Sequence, residues 1–216
     1  MHDDIAPKTV TDRSLIHRGH VFDVIRDTVD LGAAGIVQRE YVDHPGAVAI
    51  IALNDDGQIL LVRQYRHPVR AFLWEPPAGL LDIAGEPAEI GAARELYEEA
   101  DLHASTWHVL TDYLTTPGCN NEAIRVFLAR GLTAVPESER HQRSEEEADM
   151  HYRWVHLNDA VAEVLGGKIH NPSAVVGILA AWTAQQHGWS TLREVSAEFP
   201  FRRTVPLTAE HAVTQQ

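Results

Sequence analysis

Between Pro76 and Leu102 the chain reads PPAGLLDIAGEPAEIGAARELYEEADL, and this stretch limits the fold more than any other. Its opening prolines keep the backbone extended. Pro87, after Gly85 and Glu86, suits the first turn of a helix. At roughly 100° per residue, Ile90, Ala93, Leu96, Tyr97 and Ala100 share one face, which predicts a core-facing stripe. Glu95, Glu98 and Glu99 fall on the other side. Glu95 and Glu99 are i,i+4 neighbours, and such a like-charge pair destabilises a helix by roughly 0.2–0.5 kcal/mol. Arg94 precedes Glu98 by one turn and can neutralise that carboxylate, but not the Glu95–Glu99 pair. A bare E-x-x-E-E ordinarily reads as a solvated acidic face. The other reading is a hard-cation site. An Ala-Gly bend ahead of the helix lets backbone approach the carboxylates. Clustered oxygen ligands suit Mg²⁺ or Mn²⁺, which bind substrate phosphates, and repulsion in the bare helix then becomes affinity for the ion.

The whole chain has 216 residues, enough for one domain with an added subdomain. A net charge of −13 argues against non-specific nucleic-acid binding. It admits a small anionic substrate only where metal ions or local arginines offset the repulsion. Cys119 is the single cysteine, so an intrachain disulfide is excluded. It has no evident base beside it to make it a nucleophile. The histidines are scattered, with no i,i+4 pair next to the acidic cluster, and read as surface or core residues. The N-terminus lacks a cationic stretch followed by an apolar one, so no signal peptide is visible. The longest apolar run, Ala174 to Trp182, is far short of a membrane span. These features predict a cytoplasmic protein.

Strands are predicted over 20–31 and 36–44, joined by the turn GAAG. AVAIIAL and QILLVRQYR flank NDDG and predict a hairpin. Further strands are expected at 107–114, 123–129 and 152–157. Asn158 is the expected cap of a helix over DAVAEVL that GG ends. Asn171 and Pro172 open another over SAVVGILAAWTAQQH. The pattern weakens from Gly188 onward. The expected organisation is an N-terminal β-strand region over 1–44, a main domain over 45–187 and a tail over 188–216. Strands around a central helix, with helices behind, make the class α+β, a mixed α/β/α sandwich.

The box itself resembles that of the Nudix hydrolases, G-x5-E-x7-R-E-U-x-E-E-x-G-U with U aliphatic. Glu86 is followed by seven residues and then Arg94-Glu95-Leu96-Tyr97-Glu98-Glu99-Ala100-Asp101-Leu102. Gly79 lies one residue further upstream than the signature asks. Asp101 replaces the late glycine, which ends the helix in a left-handed conformation that Asp tolerates at some cost. AGLLDIAGEP, the TTPG..NE loop and EEADM resemble the ADP-ribose pyrophosphatase branch, over roughly Leu15 to Ala184. Cys119-Asn120-Asn121-Glu122 departs from that branch's usual Phe-Ser-Asp-Glu.

The resemblance implies a Nudix fold with an N-terminal antiparallel extension, and metal-dependent hydrolysis of ADP-ribose to AMP and ribose 5-phosphate. It implies that Glu95, Glu98, Glu99 and the carbonyl of Ala78 bind Mg²⁺ or Mn²⁺, with Glu98 assisting catalysis. Glu147 is the expected base, with Glu146 in reserve and Glu145 beside them. Arg66 and Arg39 are candidates for the substrate's anionic groups, Arg39 the weaker, because an exposed strand arginine is more often plain surface. Pro117 and Gly118 would shape the substrate site, and Glu122 would contact a sugar hydroxyl or a metal. Arg94 is expected to orient the glutamates. Trp74 reads as core or as a base-packing residue. A homodimer through the N-terminal strands is also implied. Other readings stay open: another nucleoside diphosphate derivative (a nucleotide sugar, NADH, a dinucleoside polyphosphate) or a non-catalytic nucleotide-sugar sensor.

Overall fold

The first strand, β1 (Thr9–Arg18), was not expected from the sequence: nearly all of it is exposed, so no alternation of apolar and polar residues betrays it. It pairs antiparallel with β2 (Asp23–Asp30), and β2 pairs antiparallel with β3 (Ile36–Asp43). The GAAG turn is where the sequence places it, with Gly35 at φ +88°. Asp27 on β2 is only 5 % exposed. It is held by Arg13 of β1 at 2.7 and 2.8 Å and by the Tyr41 hydroxyl of β3 at 3.2 Å. A buried carboxylate needs such partners, and these three side chains tie the three strands across the sheet.

These coordinates are a computed structural model that describes residues 1–141 and 150–202. The sheet belongs to a unit made of Met1–Pro45 and Leu114–Glu122. Gly46–Tyr113 and Ala123–Arg202 form a second unit.

In the second unit β4 (Ala47–Ala52) is buried at every position, as a strand covered on both faces must be. Its residues alternate between two cores. Ala47, Ala49 and Ile51 face one cluster, and Val48, Ile50 and Ala52 face the other. The turn after β4 is tight: Asn54 Oδ1 accepts the Gln58 N–H at 2.8 Å, and Gly57 has φ +74°. The predicted hairpin opens at once, however. After a single Leu53–Ile59 bridge, β5 (Gln58–Arg66) leaves to pair with β6 (Ala71–Glu75) and β10 (His151–His156). β4 instead pairs with β7 (Ala78–Leu80) and, in parallel, with β9 (Ala123–Ala134). β8 (Leu102–Leu114) completes the order β7-β4-β9-β8.

Helix α1 (Ala88–Ala100) covers one core, while α2 (Leu157–Leu165) and α3 (Pro172–Gln186) cover the other. The layers are those of the expected α/β/α sandwich. Asn171 caps α3 by accepting the Ala174 N–H, with Pro172 in the first turn, as predicted. Asn158 does not cap α2. The cap is His156, and Asn158 lies inside the helix, where its Oδ1 accepts the Trp182 indole N–H. Gly188 to Arg202 is more than a loose tail. Val195, Ala197 and Phe199 pack on the α1-side core, and Arg193 exchanges backbone hydrogen bonds with Val109. This segment lacks period because short turns, not a helix or strand, carry its apolar residues.

Candidate active site

The α1 stripe differs from the prediction. Ala88, Gly91, Ala92, Leu96 and Glu99 are its buried residues, whereas Ile90 is 54 % exposed. The small residues let α1 lie close to the sheet, so the helix turns its alanines inward and leaves Ile90 outside. One consequence is that Glu99, read as a solvent-side carboxylate, is 7 % exposed. Its Oε2 accepts the Ala78 N–H at 2.8 Å. At the helix end Asp101 has φ +52°, the left-handed conformation expected at this position.

Ala78 and Gly79 are themselves fixed by strand pairing, opposite Ala49 and Val48. Just before them, the Pro77 carbonyl accepts the Ile50 N–H at 2.8 Å. Gly79 is required for a steric reason. A Cβ there would stand 1.9 Å from Cδ of Glu95. The carboxylate of Glu95 thus lies directly on the backbone of β7.

Arg94 sits among the carboxylates. Its Nη1 donates to Glu95 Oε1 at 2.6 Å and to Glu98 Oε2 at 3.1 Å, and its Nε and Nη2 donate to Glu86 at 3.3 Å. It therefore orients the glutamates, as expected, but it reaches Glu95 as well as Glu98. The side chain folds back along the helix surface, which corrects the sequence-based view that Glu95 goes unneutralised. Hydrogen bonding to Glu86 raises the Arg94 guanidinium above its ordinary pKa; burial opposes this, and the charge of Glu95 reinforces it.

As they stand, Glu86, Glu95 and Glu98 converge on a guanidinium, and among the described residues no three His, Cys, Asp or Glu side chains are arranged to hold a metal ion. The donor set still fits a hard divalent cation. Glu99 meets the backbone N–H of Ala78, and one turn earlier on the same helix Glu95 lies in the cradle left by the missing Cβ of Gly79.

Arg66 at the end of β5 donates to Glu75 of β6, with Nη2 to Oε2 at 2.6 Å. Glu75 is 2 % exposed, while Arg66 remains partly open to solvent. Glu75 escaped the sequence reading because its role depends on the β5–β6 register. Glu86 escaped as a partner of Arg94 for a similar reason: its carboxylate lies over Gly91, where a Cβ would come within 2.9 Å of it. Trp74 is partly buried against the core cluster.

The remaining candidates lie in the other unit. Arg39 is exposed on β3 and donates to the Gln38 carbonyl. Pro117 and Gly118 form the loop that leads to Glu122. The Glu122 carboxylate accepts from the Thr115 hydroxyl at 2.8 Å and meets His44 Nδ1 at 3.5 Å. Asn120 and Asn121, which depart from the resembled branch, hold this loop. Asn120 Oδ1 accepts the Glu122 N–H at 2.9 Å, and Asn121 bonds both Asp43 and the His44 N–H. Glu145, Glu146 and Glu147 lie outside the described residues.

Comparison with known proteins identifies the family. The model of the NUDIX domain matches residues 43–173. ADP-ribose pyrophosphatase of Mycobacterium tuberculosis is 47% identical over 197 residues, covering 91% of this chain and 93% of that protein. ADP-ribose pyrophosphatase of Bacillus subtilis is 34% identical over 171 residues, covering 79% and 90%. Among solved structures, an ADP compounds hydrolase superposes with a TM-score of 0.64 at 19% identity, covering 86% of this chain and 98% of that one, a likeness of fold. The domain match takes in the whole of α1 and the β7 backbone beneath it, and with near full-length likeness to the mycobacterial protein it places this chain in the Nudix family.

Proposed function

We propose that the chain hydrolyses ADP-ribose to AMP and ribose 5-phosphate. The observation that carries this reading is the placement of Glu99 on the Ala78 N–H and of Glu95 on Gly79, with Glu98 joined to Glu95 through Arg94, in a chain 47% identical to an ADP-ribose pyrophosphatase over nearly its whole length. Glu95, Glu98, Glu99 and the Ala78 carbonyl would hold Mg²⁺, or Mn²⁺ in its place. Such a cation, when bound, offsets the charge on the phosphate oxygens.

The chain's own groups supply the rest. Water oxygen bonds to one phosphorus as that phosphorus parts from the bridging oxygen. A carboxylate takes the water proton, and Glu147 is our candidate for it, with Glu98 assisting. Arg66 and Arg39 bind anionic groups of the substrate, Arg66 held in place by Glu75. Pro117 and Gly118 shape the substrate site, and Glu122 contacts a sugar hydroxyl or a metal. Asn120 and Asn121 bond the loop's own backbone and Asp43, so Cys-Asn-Asn supports the loop's shape and need not signal another substrate. A homodimer is part of this reading, supported by exposed apolar side chains on the N-terminal sheet such as Leu15, Ile16 and Ile36. So is residence in the cytoplasm, in keeping with an exposed free cysteine, Cys119.

The test is a panel of ADP-ribose, ADP-glucose, ADP-mannose and NADH, with and without Mg²⁺, followed by product chromatography. Metal-dependent release of AMP from ADP-ribose in preference to the others is expected. Preferred cleavage of another compound would move the substrate, and binding without cleavage would bring forward a sensor.

A further inference from the structure

The segment that follows α3 ends on the catalytic box. Arg202 donates through Nη2 to the backbone carbonyl of Glu86. Glu86 is the residue whose carboxylate meets Arg94, and Arg94 in turn holds Glu95 and Glu98. The segment is anchored at its middle by Arg125 of β9, itself 2 % exposed. Arg125 donates to the carbonyls of Ala197 and Glu198 at 2.7 and 2.6 Å, lies over the Phe199 ring at 4.4 Å and pairs with Asp112 at 2.8 and 3.0 Å. Arg193 joins the same Asp112 at 2.9 Å.

We propose that Arg202 is a positioning residue for the reaction, and that residues 193–202 form a strap setting the place of Glu86 and, through Arg94, of the carboxylates on α1. The physical reason is that Glu86 precedes the first turn of the helix, in the turn-rich link between β7 and α1. Backbone there has no sheet or helix partner to fix it, although the Glu86 N–H donates to the Ile83 carbonyl. A guanidinium on its carbonyl supplies a charge-assisted bond from outside. Without it Glu86 gains freedom, Arg94 loses a fixed partner, and Glu95 and Glu98 lose their common reference. The buried Arg125 cluster makes the strap stiff enough to act in this way.

This inference rests on the proposed metal-dependent hydrolysis, and its test separates the two. Full-length Arg202→Ala and Arg202→Lys are compared with the unaltered protein. Mn²⁺ affinity is read by electron paramagnetic resonance of the free ion, kcat and KM with ADP-ribose, and hydrogen exchange of the Arg94 side-chain Nε–H by ¹⁵N NMR. In Arg202→Ala, Mn²⁺ affinity and kcat are each expected to fall about three- to thirtyfold, and Arg94 exchange to quicken by a similar factor. KM at saturating metal should stay within about twofold, and Arg202→Lys should recover most of the loss, because it restores a charged donor. Arg94 exchange and Mn²⁺ affinity unchanged in Arg202→Ala would overturn the proposal. So would losses accompanied by a fall in Tm that lysine does not rescue, which marks a merely structural role. If the unaltered protein neither binds Mn²⁺ nor cleaves ADP-ribose while Arg94 exchange still responds, the strap stands and the hydrolase reading fails.

Discussion

The carboxylate of Glu99 accepts the Ala78 N–H at 2.8 Å from a position only 7 % exposed. Two substitutions separate what that carboxylate does for the fold from what it does for chemistry. Glu99→Gln keeps an oxygen acceptor for Ala78 but removes the charge. Its Tm should stay close to the parent's, while kcat falls roughly 10²–10³-fold, the scale for losing one charge-stabilising group. Glu99→Ala also removes that acceptor from the part-buried Ala78 N–H, which costs about 0.5–1.5 kcal/mol. Urea unfolding and steady-state kinetics on both variants check this; equal destabilisation by Gln and Ala would refute the division. Gly79→Ala gives a second test. Its Cβ would stand 1.9 Å from Glu95 Cδ, closer than any packing allows, so Glu95 must swing away. We expect kcat to fall by at least about tenfold, the scale on which misplaced groups act. A crystal structure of an active Gly79→Ala protein with Glu95 unmoved would contradict this. At this scale the sequence offered Arg94 as the partner of Glu98 and little else about contacts. Glu95, Glu98 and Glu99 could be singled out as candidates from their clustering and from the Nudix resemblance. The contact of Glu95 with Gly79 could not, because it depends on how α1 meets β7.

Among the elements, α1 and the N-terminal sheet show where periodic reading fails. Apolar size pointed to Ile90 as a core residue, but the packed face is built from Ala88, Ala92 and Leu96. Alanine carries little hydrophobic weight in a sequence pattern, yet it is what close helix-to-sheet packing selects. β1 was missed because its exposed residues carry no pattern at all, whereas β2, β3 and β9 were legible from alternation or continuous apolarity. The N-terminal sheet also carries a pH signature. Burial, and then the neighbouring Asp27 set against an opposing Arg13, raise the Tyr41 hydroxyl from 10 to about 12. In the unfolded chain the same phenol gives up its proton near 10, so between these values the unfolded state binds fewer protons than the folded one. Tyr41's contribution to stability is therefore complete below pH 10 and is lost as pH rises through about 12. Urea midpoints across that window should fall in the parent and fall less in Tyr41→Phe, which has no phenol to ionise. Parallel declines in the two proteins would mean that another group governs alkaline stability.

At the scale of the whole molecule, a net charge of −13 leaves little positive potential for an anionic substrate. Arg13, Arg26, Arg66, Arg94, Arg125 and Arg193 all sit in ion pairs with carboxylates. The sequence could show the excess of acid and the one-turn pairing of Arg94 with Glu98, but not the pairs of Arg13, Arg26, Arg66, Arg125 and Arg193, whose partners are brought to them by the fold. Arg125 is the extreme case. It lies near the start of β9, in a run read from sequence simply as a strand, and it joins Asp112 of β8 to carbonyls more than seventy residues further on. Because it is buried, replacing it with methionine keeps much of the volume but strips Asp112 of a bidentate partner and leaves the Ala197 and Glu198 carbonyls without a donor. Breaking a buried pair from one side costs about 3–5 kcal/mol. Arg193, which is more exposed, can hold Asp112 only in part. Arg125→Met is therefore expected to lose about that much stability in urea, and limited proteolysis should now cut between 193 and 202 well before the rest of the second unit unfolds. Arg193→Met removes only the exposed partner and should cost about 1 kcal/mol or less. If the two variants proved equally stable, the strength of this attachment would have to lie in the packing of Val195, Ala197 and Phe199 alone, and Arg125 would be a passenger in the core of β9.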